Sequence, residues 1–402
     1  MPAPHREKTD DVVFVGACRT PIGRYGGSLK DLSARDLGVP CVEHLLASTG
    51  LPPERVDRLI FGNGRQAGGG PNVARQIALS GGLPESVPAW TLNMACGSGL
   101  KSVIDAAHDI QRGEADIVIA GGTESMSRLP YFLEQARWGQ KLGSMEVVDA
   151  MYRDGFFCPL AKMVMGETVE WLAGEYGITR ESQDRYAAQS QERAAAAASE
   201  GRFDAELVSM TAHGKVILAR DEHPRPDSTF PSLSRLKPVF GEEGTITAGN
   251  ASGITDGAAA VLMMRRSVAL DLGLKILAVY EESATAAVAP RSMGIGPVPA
   301  TRALLERTGT RLEEYDLIEV NEAFAAQVLA VLADMPMEPD RLNVNGGSIA
   351  LGHPIGATGC RILVTLIHEM RRREVTRGLA TLCISGGQGL AVSVSARDED
   401  VS

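Results

Sequence analysis

The chain has 402 residues and 44% hydrophobic content, enough for a large core and for two domain-sized units. Its 44 glycines and few aromatics suit an α/β protein with tight strand-to-helix turns better than an antiparallel sandwich. A formal net charge of -10 argues against nucleic acid or an anionic membrane as partner, and leaves room for a local basic patch around an anionic ligand.

Met1 to Asp11 is polar and charged and lacks the apolar stretch of a signal peptide. Val12 to Val15 reads as a buried strand, Ser33 to Ala47 as a helix, and Val56 to Gly62 as a strand ending in glycine. A helix over Asn72 to Ser80, a strand over Ala89 to Leu92, a helix over Gly99 to Arg112 and a strand over Asp116 to Ala120 follow. This alternation predicts a parallel or mixed sheet covered on both faces. From Ser127 to Gly249 the texture turns to Met, Pro, Arg and charge, with helices expected over Ala161 to Tyr176 and Arg180 to Glu200. That stretch reads equally as a solvent-covered insertion or as a lid that binds ligand. Gly257 to Met264 is apolar but too short to span a bilayer.

After Asp271 the alternation returns. Ile276 to Tyr280, Leu317 to Val320, Asn343 to Asn345 and Ala380 to Ile384 are expected strands. Val298 to Thr308, Ala323 to Leu332 and Gly356 to Arg372 are expected helices. Ala115 to Gly122 and Leu379 to Gly387 each read as a strand running into paired glycines. Each follows a long helix that begins just after a reactive-looking segment. Two related halves are therefore expected, with boundaries at 10–126 plus 250–275 and at 276–396, and an inserted loop domain over 127–249. Asp398 to Ser402 matches no sorting tail.

Six scattered cysteines form no CxxC pair, and the seven histidines form no HExxH. No metal is expected, and reduced thiols in a cytoplasmic protein are. Cys96 stands where a strand passes into a helix, so unpaired N–H groups and the helix dipole favour a thiolate there. The alternative is a cysteine packed as a small hydrophobe. His353, in Gly352-His353-Pro354-Ile355-Gly356, offers a base for that thiol or else a helix cap. Cys383 lies inside an apolar strand, where a core role is the ordinary explanation. Asn321 ends another strand and could hold a water, fix a histidine tautomer or simply turn the chain. Gly62-Asn63-Gly64 and Gly68-Gly69-Gly70 do not make a nucleotide fingerprint, so no nicotinamide or flavin is expected.

Asn93-Met94-Ala95-Cys96-Gly97-Ser98-Gly99, Asn321-Glu322-Ala323-Phe324-Ala325, Asn345-Gly346-Gly347, Gly352-His353-Pro354-Ile355-Gly356 and Cys383-Ile384-Ser385-Gly386-Gly387 together resemble the thiolases, the acetyl-CoA C-acyltransferases. The resemblance runs from about Val12 to Val394. It implies a thiolase-like five-layered αβαβα fold with two similar core halves and an inserted loop domain. It implies transfer of an acyl group between a cysteine thioester and CoA. Cleavage of 3-ketoacyl-CoA and the reverse Claisen condensation are the two directions.

By the same resemblance Cys96 is the nucleophile, His353 its activator and Cys383 the acid/base at the α-carbon. One oxyanion site would use His353 with a water held by Asn321, the other the backbone N–H groups of Cys96 and Ser385. Glu322 would support Asn321. Ser252 would meet the pantetheine arm and Arg225 the nucleotide end of CoA. No tightly bound cofactor is implied; CoA and acetyl-CoA are substrates. A homodimer or homotetramer is implied, with Tyr131 to Met145 in the tetramer contacts. Val164 stands where short-chain biosynthetic members carry histidine, which points to broader or longer acyl chains. Ser385 replaces a common glycine, with only its N–H required. A decarboxylating ketoacyl synthase is disfavoured by the Cys383 and Asn321-Glu322 motifs. A non-enzymatic acyl-CoA binder is disfavoured by the complete Cys96, His353 and Cys383 set.

Overall fold

The computed structural model describes residues 11–396. The expectations about the N-terminal segment up to Asp10 and about Asp398 to Ser402 lie outside the described residues, and Asp11 itself lies within them. Val12–Arg19 (β1) is buried at every position. Ala34–Thr49 (α1) starts at a capping box between Ser33 and Asp36 and stops at Gly50, whose φ of 65° closes the last turn. Arg58–Gly62 (β2), Val73–Ser80 (α2), Ala89–Leu92 (β3), Ser98–Arg112 (α3) and Ile117–Ser125 (β4) complete the first run. The chain then leaves the sheet, passes through Met165–Glu175 (α4) and Arg180–Ser199 (α5), and re-enters it as Thr255–Arg265 (β5). The second run is Ala278–Ala287 (β6), Pro297–Thr308 (α6), Leu317–Val320 (β7), Ala325–Asp334 (α7), Ile355–Arg373 (α8), Arg377–Ile384 (β8) and Gln388–Ser395 (β9).

The strands lie in the order β7-β8-β9-β6-β1-β5-β4-β2-β3. Read outward from the centre, the first four strands of each side match, and β3 has no counterpart beyond β7. β1, β5 and β4 are antiparallel neighbours and β4, β2 and β3 are parallel. Likewise β6, β9 and β8 are antiparallel neighbours, and β8 and β7 are parallel. The halves join where Val12, Val13 and Phe14 of β1 pair with Tyr280, Val279 and Ala278 of β6. Three apolar clusters fill the spaces between layers. One packs α1 and α2 on the first half of the sheet, with Leu37, Leu45, Phe61 and Ile77. A second packs α6 and α7 on the other half, with Leu304, Val320 and Val328. The third surrounds α3 and α8, with Leu100, Val103, Ile362 and Leu363. The layers are thus helix, strand, helix, strand, helix, and the central layer is α3 with α8.

The crossing of α3 and α8 positions the site. A Cβ on Gly99 would lie 2.8 Å from Gly356 O, and one on Gly359 would lie 2.6 Å from Leu100 N. Only hydrogen at these positions lets the two backbones touch. The contact falls in the first turn of both helices, so the segments just before them, ending at Gly97 and at Pro354, arrive at one place.

Four sequence expectations change in detail. The helix expected from Ala161 begins at Met165, because Phe157–Cys158 and Met163–Val164 form a small hairpin first. Asn343 to Asn345 is not a ladder strand. It makes isolated bridges at Leu342 and Val344, with Asn343 at a φ of 44°. Gly121 and Gly122 are not a turn but lie within β4. A Cβ on Gly122 would come 2.0 Å from Gly356 O, so these glycines admit the start of α8. Gly386 and Gly387, at φ of 89° and 87°, do form a turn, and the unexpected strand β9 follows it.

Candidate active site

Cys96 stands on a strained turn. Ala95, just before it, has a φ of 46°, a conformation that costs a non-glycine residue about 1–2 kcal/mol. Local hydrogen bonds hold it. Ala95 N donates to Asn93 Oδ1 at 2.9 Å, Met94 N donates to Ser98 Oγ at 2.8 Å, and Ser98 Oγ donates to Ala95 O at 2.7 Å. Asn93 Nδ2 ties the turn to Gly64 O at 3.2 Å. The sulfur faces the cavity but is enclosed by protein on its other sides. Burial raises the thiol above its ordinary range, while the Arg65 cation and the N–H groups of Ser385 and of Cys96 itself pull it down. Burial wins, so the resting group is a thiol. The groups that favour the anion act against that loss of water.

His353 is buried, and its Nδ1 lies 2.6 Å from Thr358 Oγ1. The Thr358 hydroxyl also lies 3.0 Å from Pro354 O. With its hydrogen on that carbonyl, Nδ1 carries the ring hydrogen and donates it, which leaves the lone pair on Nε2. Burial first, then the Arg361 and Arg65 cations, push its pKa down to about 3. The imidazole is neutral at neutral pH and able to accept a proton at Nε2.

Cys383 is buried at the end of β8, and burial followed by the proximity of Cys96 holds its thiol well above the ordinary range. One cavity of about 650 Å³ is lined by Cys96, His353, Cys383 and Ser385, and also by Val164, Ser252 and Arg225. Seven of the nine residues singled out from the sequence thus line one cavity, and Asn321 and Glu322 do not. Asn321 is buried outside that lining. Its Oδ1 accepts from Ser348 Oγ at 2.6 Å, Ser348 Oγ accepts from Arg361 Nη2 at 2.9 Å, and Asn321 Nδ2 has no partner among the described residues. A buried amide with a spare donor is the kind of group that holds an internal water. Glu322 ties α5 to the second half. It accepts from Ser190 Oγ at 2.6 Å, Tyr186 Oη at 3.0 Å and Ile349 N at 3.2 Å.

Sequence reasoning missed several neighbours. Glu124 accepts from Asn63 Nδ2 at 2.7 Å, Gly64 N at 3.0 Å, Arg65 N at 3.1 Å and Gly356 N at 2.8 Å. It binds the turn beside Cys96 to the start of α8, and burial pushes its pKa up to about 7. A lone carboxylate inside an apolar strand was the available signal. His223, Phe240 and Met293 also line the cavity, but they are dispersed in sequence and carry no local pattern, whereas Phe324 on the same wall belongs to the Asn321-Glu322 motif. Among the described residues no cluster of His, Cys, Asp and Glu is arranged to hold a metal ion.

Comparison with known proteins agrees with this geometry. Residues 12–267 match the thiolase N-terminal domain and residues 274–396 the thiolase C-terminal domain. An acetyl-CoA acetyltransferase of Pseudomonas aeruginosa is 50% identical over 392 residues, covering 96% of this chain and 100% of that protein. The crystal structure of the Bacillus anthracis acetyl-CoA acetyltransferase superposes with a TM-score of 0.94 at 43% identity, over 96% of this chain and 99% of that one. Human mitochondrial 3-ketoacyl-CoA thiolase in complex with CoA gives a TM-score of 0.93 at 41% identity, over 96% and 98%. With the layered fold and the shared cavity already in place, these matches over nearly the whole chain make it a member of the thiolase family.

Proposed function

We infer that this chain is an acetyl-CoA C-acyltransferase that cleaves 3-ketoacyl-CoA with CoA or runs the reverse condensation. The observation that carries the reading is the convergence of Cys96, His353 and Cys383 on one cavity that also reaches Ser252 and Arg225. In cleavage, His353 Nε2 takes the Cys96 proton and the sulfur attacks the 3-keto carbon. The Cα–Cβ bond breaks, its electron pair goes to Cα, and the Cys383 thiol protonates that carbon to give acetyl-CoA. CoA then gives its proton to the Cys383 thiolate and attacks the acyl-cysteine, and Cys96 leaves with a proton from His353. A raised thiol suits Cys383 to this work, because it stays protonated until a carbanion forms.

The N–H groups of Ser385 and Cys96 both favour negative charge at the Cys96 sulfur, which suits them to the oxygen of a carbonyl bonded to it. His353, with a water on the free Asn321 Nδ2, would serve the enolate oxygen of acetyl-CoA. Ser252, on the cavity wall, and Arg225, exposed at its mouth with Nη2 bound to Ala248 O, suit the pantetheine and phosphate ends of CoA. The segment 127–249 would act as the loop domain that carries this CoA site. The wall formed by Val164, Met165, Met293, Phe324 and Phe240 is apolar and would admit acyl chains longer than acetoacetyl.

Tyr131, Leu133, Trp138 and Leu142 are exposed and would bury against further copies in a homotetramer. Among the described residues no helix is long and apolar enough to cross a membrane, and a cytoplasmic location is the reading consistent with six free cysteines. The test is thiolysis of acetoacetyl-CoA with intact-mass detection of acetyl-Cys96. Cys96→Ala should abolish both the turnover and the adduct, and a variant that still turned over would refute the assignment.

A further inference from the structure

Arg65 has no place in the mechanism above. It follows the turn at the end of β2, and its side chain is nine-tenths buried, with 9% relative exposure. Nη1 donates to Gly64 O at 3.2 Å and Nη2 to Gly155 O at 2.9 Å. Gly155 belongs to a single wide turn of helix, Tyr152–Phe156, and a Cβ there would lie 2.9 Å from Arg65 Nε. The missing side chain is what admits the guanidinium. Nε has no partner, and among the described residues no carboxylate oxygen lies within 4.0 Å of the guanidinium. Glu124 is the nearby anion that feels this cation, but the two form no direct ion pair, and buried cations held in this way concentrate where a charge appears during reaction.

The surrounding contacts place this cation at the nucleophile. Arg65 lines the catalytic cavity together with Cys96 and His353. Gly64 O, which holds Nη1, also accepts from Asn93 three residues before Cys96. A Cβ on Gly64 would meet Ile355 Cγ2 at 3.1 Å and Ala95 O at 3.4 Å, so the turn touches both the Cys96 loop and the start of α8.

We propose that Arg65 balances the charge of Cys96, its fixed guanidinium stabilising the sulfur anion before acylation and again as the acyl group departs to CoA. No proton passes through it. The proton moves between Sγ and His353 Nε2, and Arg65 stays charged throughout. Other groups face the same sulfur: Glu124 from β4 and Cys383 from β8 disfavour the anion, and His353 accepts its proton. Arg361 and Arg65 both act on His353 to keep it neutral. Arg65 is therefore the leading side-chain cation favouring the Cys96 anion, with Glu124 opposing it.

The inference rests on Cys96 being the nucleophile, but its test needs no turnover. Cys96 alkylation by iodoacetamide is followed by mass spectrometry from about pH 7 to about pH 11.5 in the full-length protein. Arg65→Gln keeps a donor for the carbonyls and loses the charge. Its midpoint should rise by about one pH unit, with alkylation about tenfold slower at pH 7. Arg65→Lys keeps the charge and loses the fork, and should stay within about twofold of the parent. If Arg65→Gln does not fold, Arg65→Met gives the same comparison. Equal shifts in the Lys and uncharged variants, or no shift in either, would overturn the proposal. A defect confined to the KM of substrates with a carboxylate on the acyl tail would also overturn it, since the cation would then serve the substrate.

Discussion

Gly99→Ala is the sharpest test of how the site is assembled. Its Cβ would lie 2.8 Å from Gly356 O, 3.0 Å from Cys360 N and 3.2 Å from Ala357 O, all backbone atoms of α8. No rotamer change relieves such a contact, so α3 and α8 must separate. Overpacking of this kind costs about 1–3 kcal/mol. The larger effect should be catalytic, because Cys96 and His353 ride on the two helix starts that are pushed apart. A shift of about 1 Å in such a pair can cost about 100-fold in rate. Gly174→Ala in α4 is the control, since its Cβ would meet nothing within 4 Å. It should be neutral or stabilise by up to about 1 kcal/mol. Urea unfolding and acetoacetyl-CoA thiolysis would be measured on both. A Gly99→Ala protein with the parent kcat would show that the helix contact does not set the catalytic distance.

The remaining expectations use the same cavity and its buried charges. Val164→His should narrow the acyl wall and cut thiolysis of six-carbon and longer 3-ketoacyl-CoA by about tenfold relative to acetoacetyl-CoA, read from kcat/KM along a chain-length series. Burial pushes Glu319 up to about 8, with Arg361 opposing. The folded state then holds a proton that the unfolded chain releases near pH 4.5, so this group's stability contribution is lost as pH rises from there to about 8. Glu319→Gln should flatten that fall in a Tm-against-pH series, and an unchanged slope would count against the buried carboxyl. His353 has the opposite sign. With a folded pKa of about 3, it should cost stability by up to about 1.4 kcal/mol per pH unit as pH falls below about 6.5. His353→Asn should lessen acid sensitivity in that window. Trp138→Glu with Leu142→Glu should lower the oligomeric mass in light scattering while leaving the far-UV spectrum unchanged.

Local patterning made most of the fold readable in the sequence. Strands such as Leu317–Val320 are short apolar runs, and helices such as Arg180–Ser199 carry a cap at Thr179 and a stop at Gly201 within a few positions. The reactive motifs were readable for a similar reason, since Cys96, His353 and Cys383 each lie in a short segment with its own glycines. Asn343 to Asn345 misled because a strand-like composition there makes only isolated bridges. Gly121 and Gly122 misled because a glycine needed for close approach looks the same as a glycine needed for a turn.

What the sequence determined by itself is the set of chemical groups and the halves that carry them. What only the tertiary structure decided is their state and their company. Burial raises the Cys96 thiol against the pull of Arg65 and nearby N–H groups, and burial with two arginine cations keeps the His353 imidazole neutral while Nδ1 rests on Thr358. Arg65 and Glu124 joined the site with no motif to announce them. Protonation and proximity depend on what surrounds a group in three dimensions, and that environment comes from segments far apart in the chain, brought together where α3 and α8 touch.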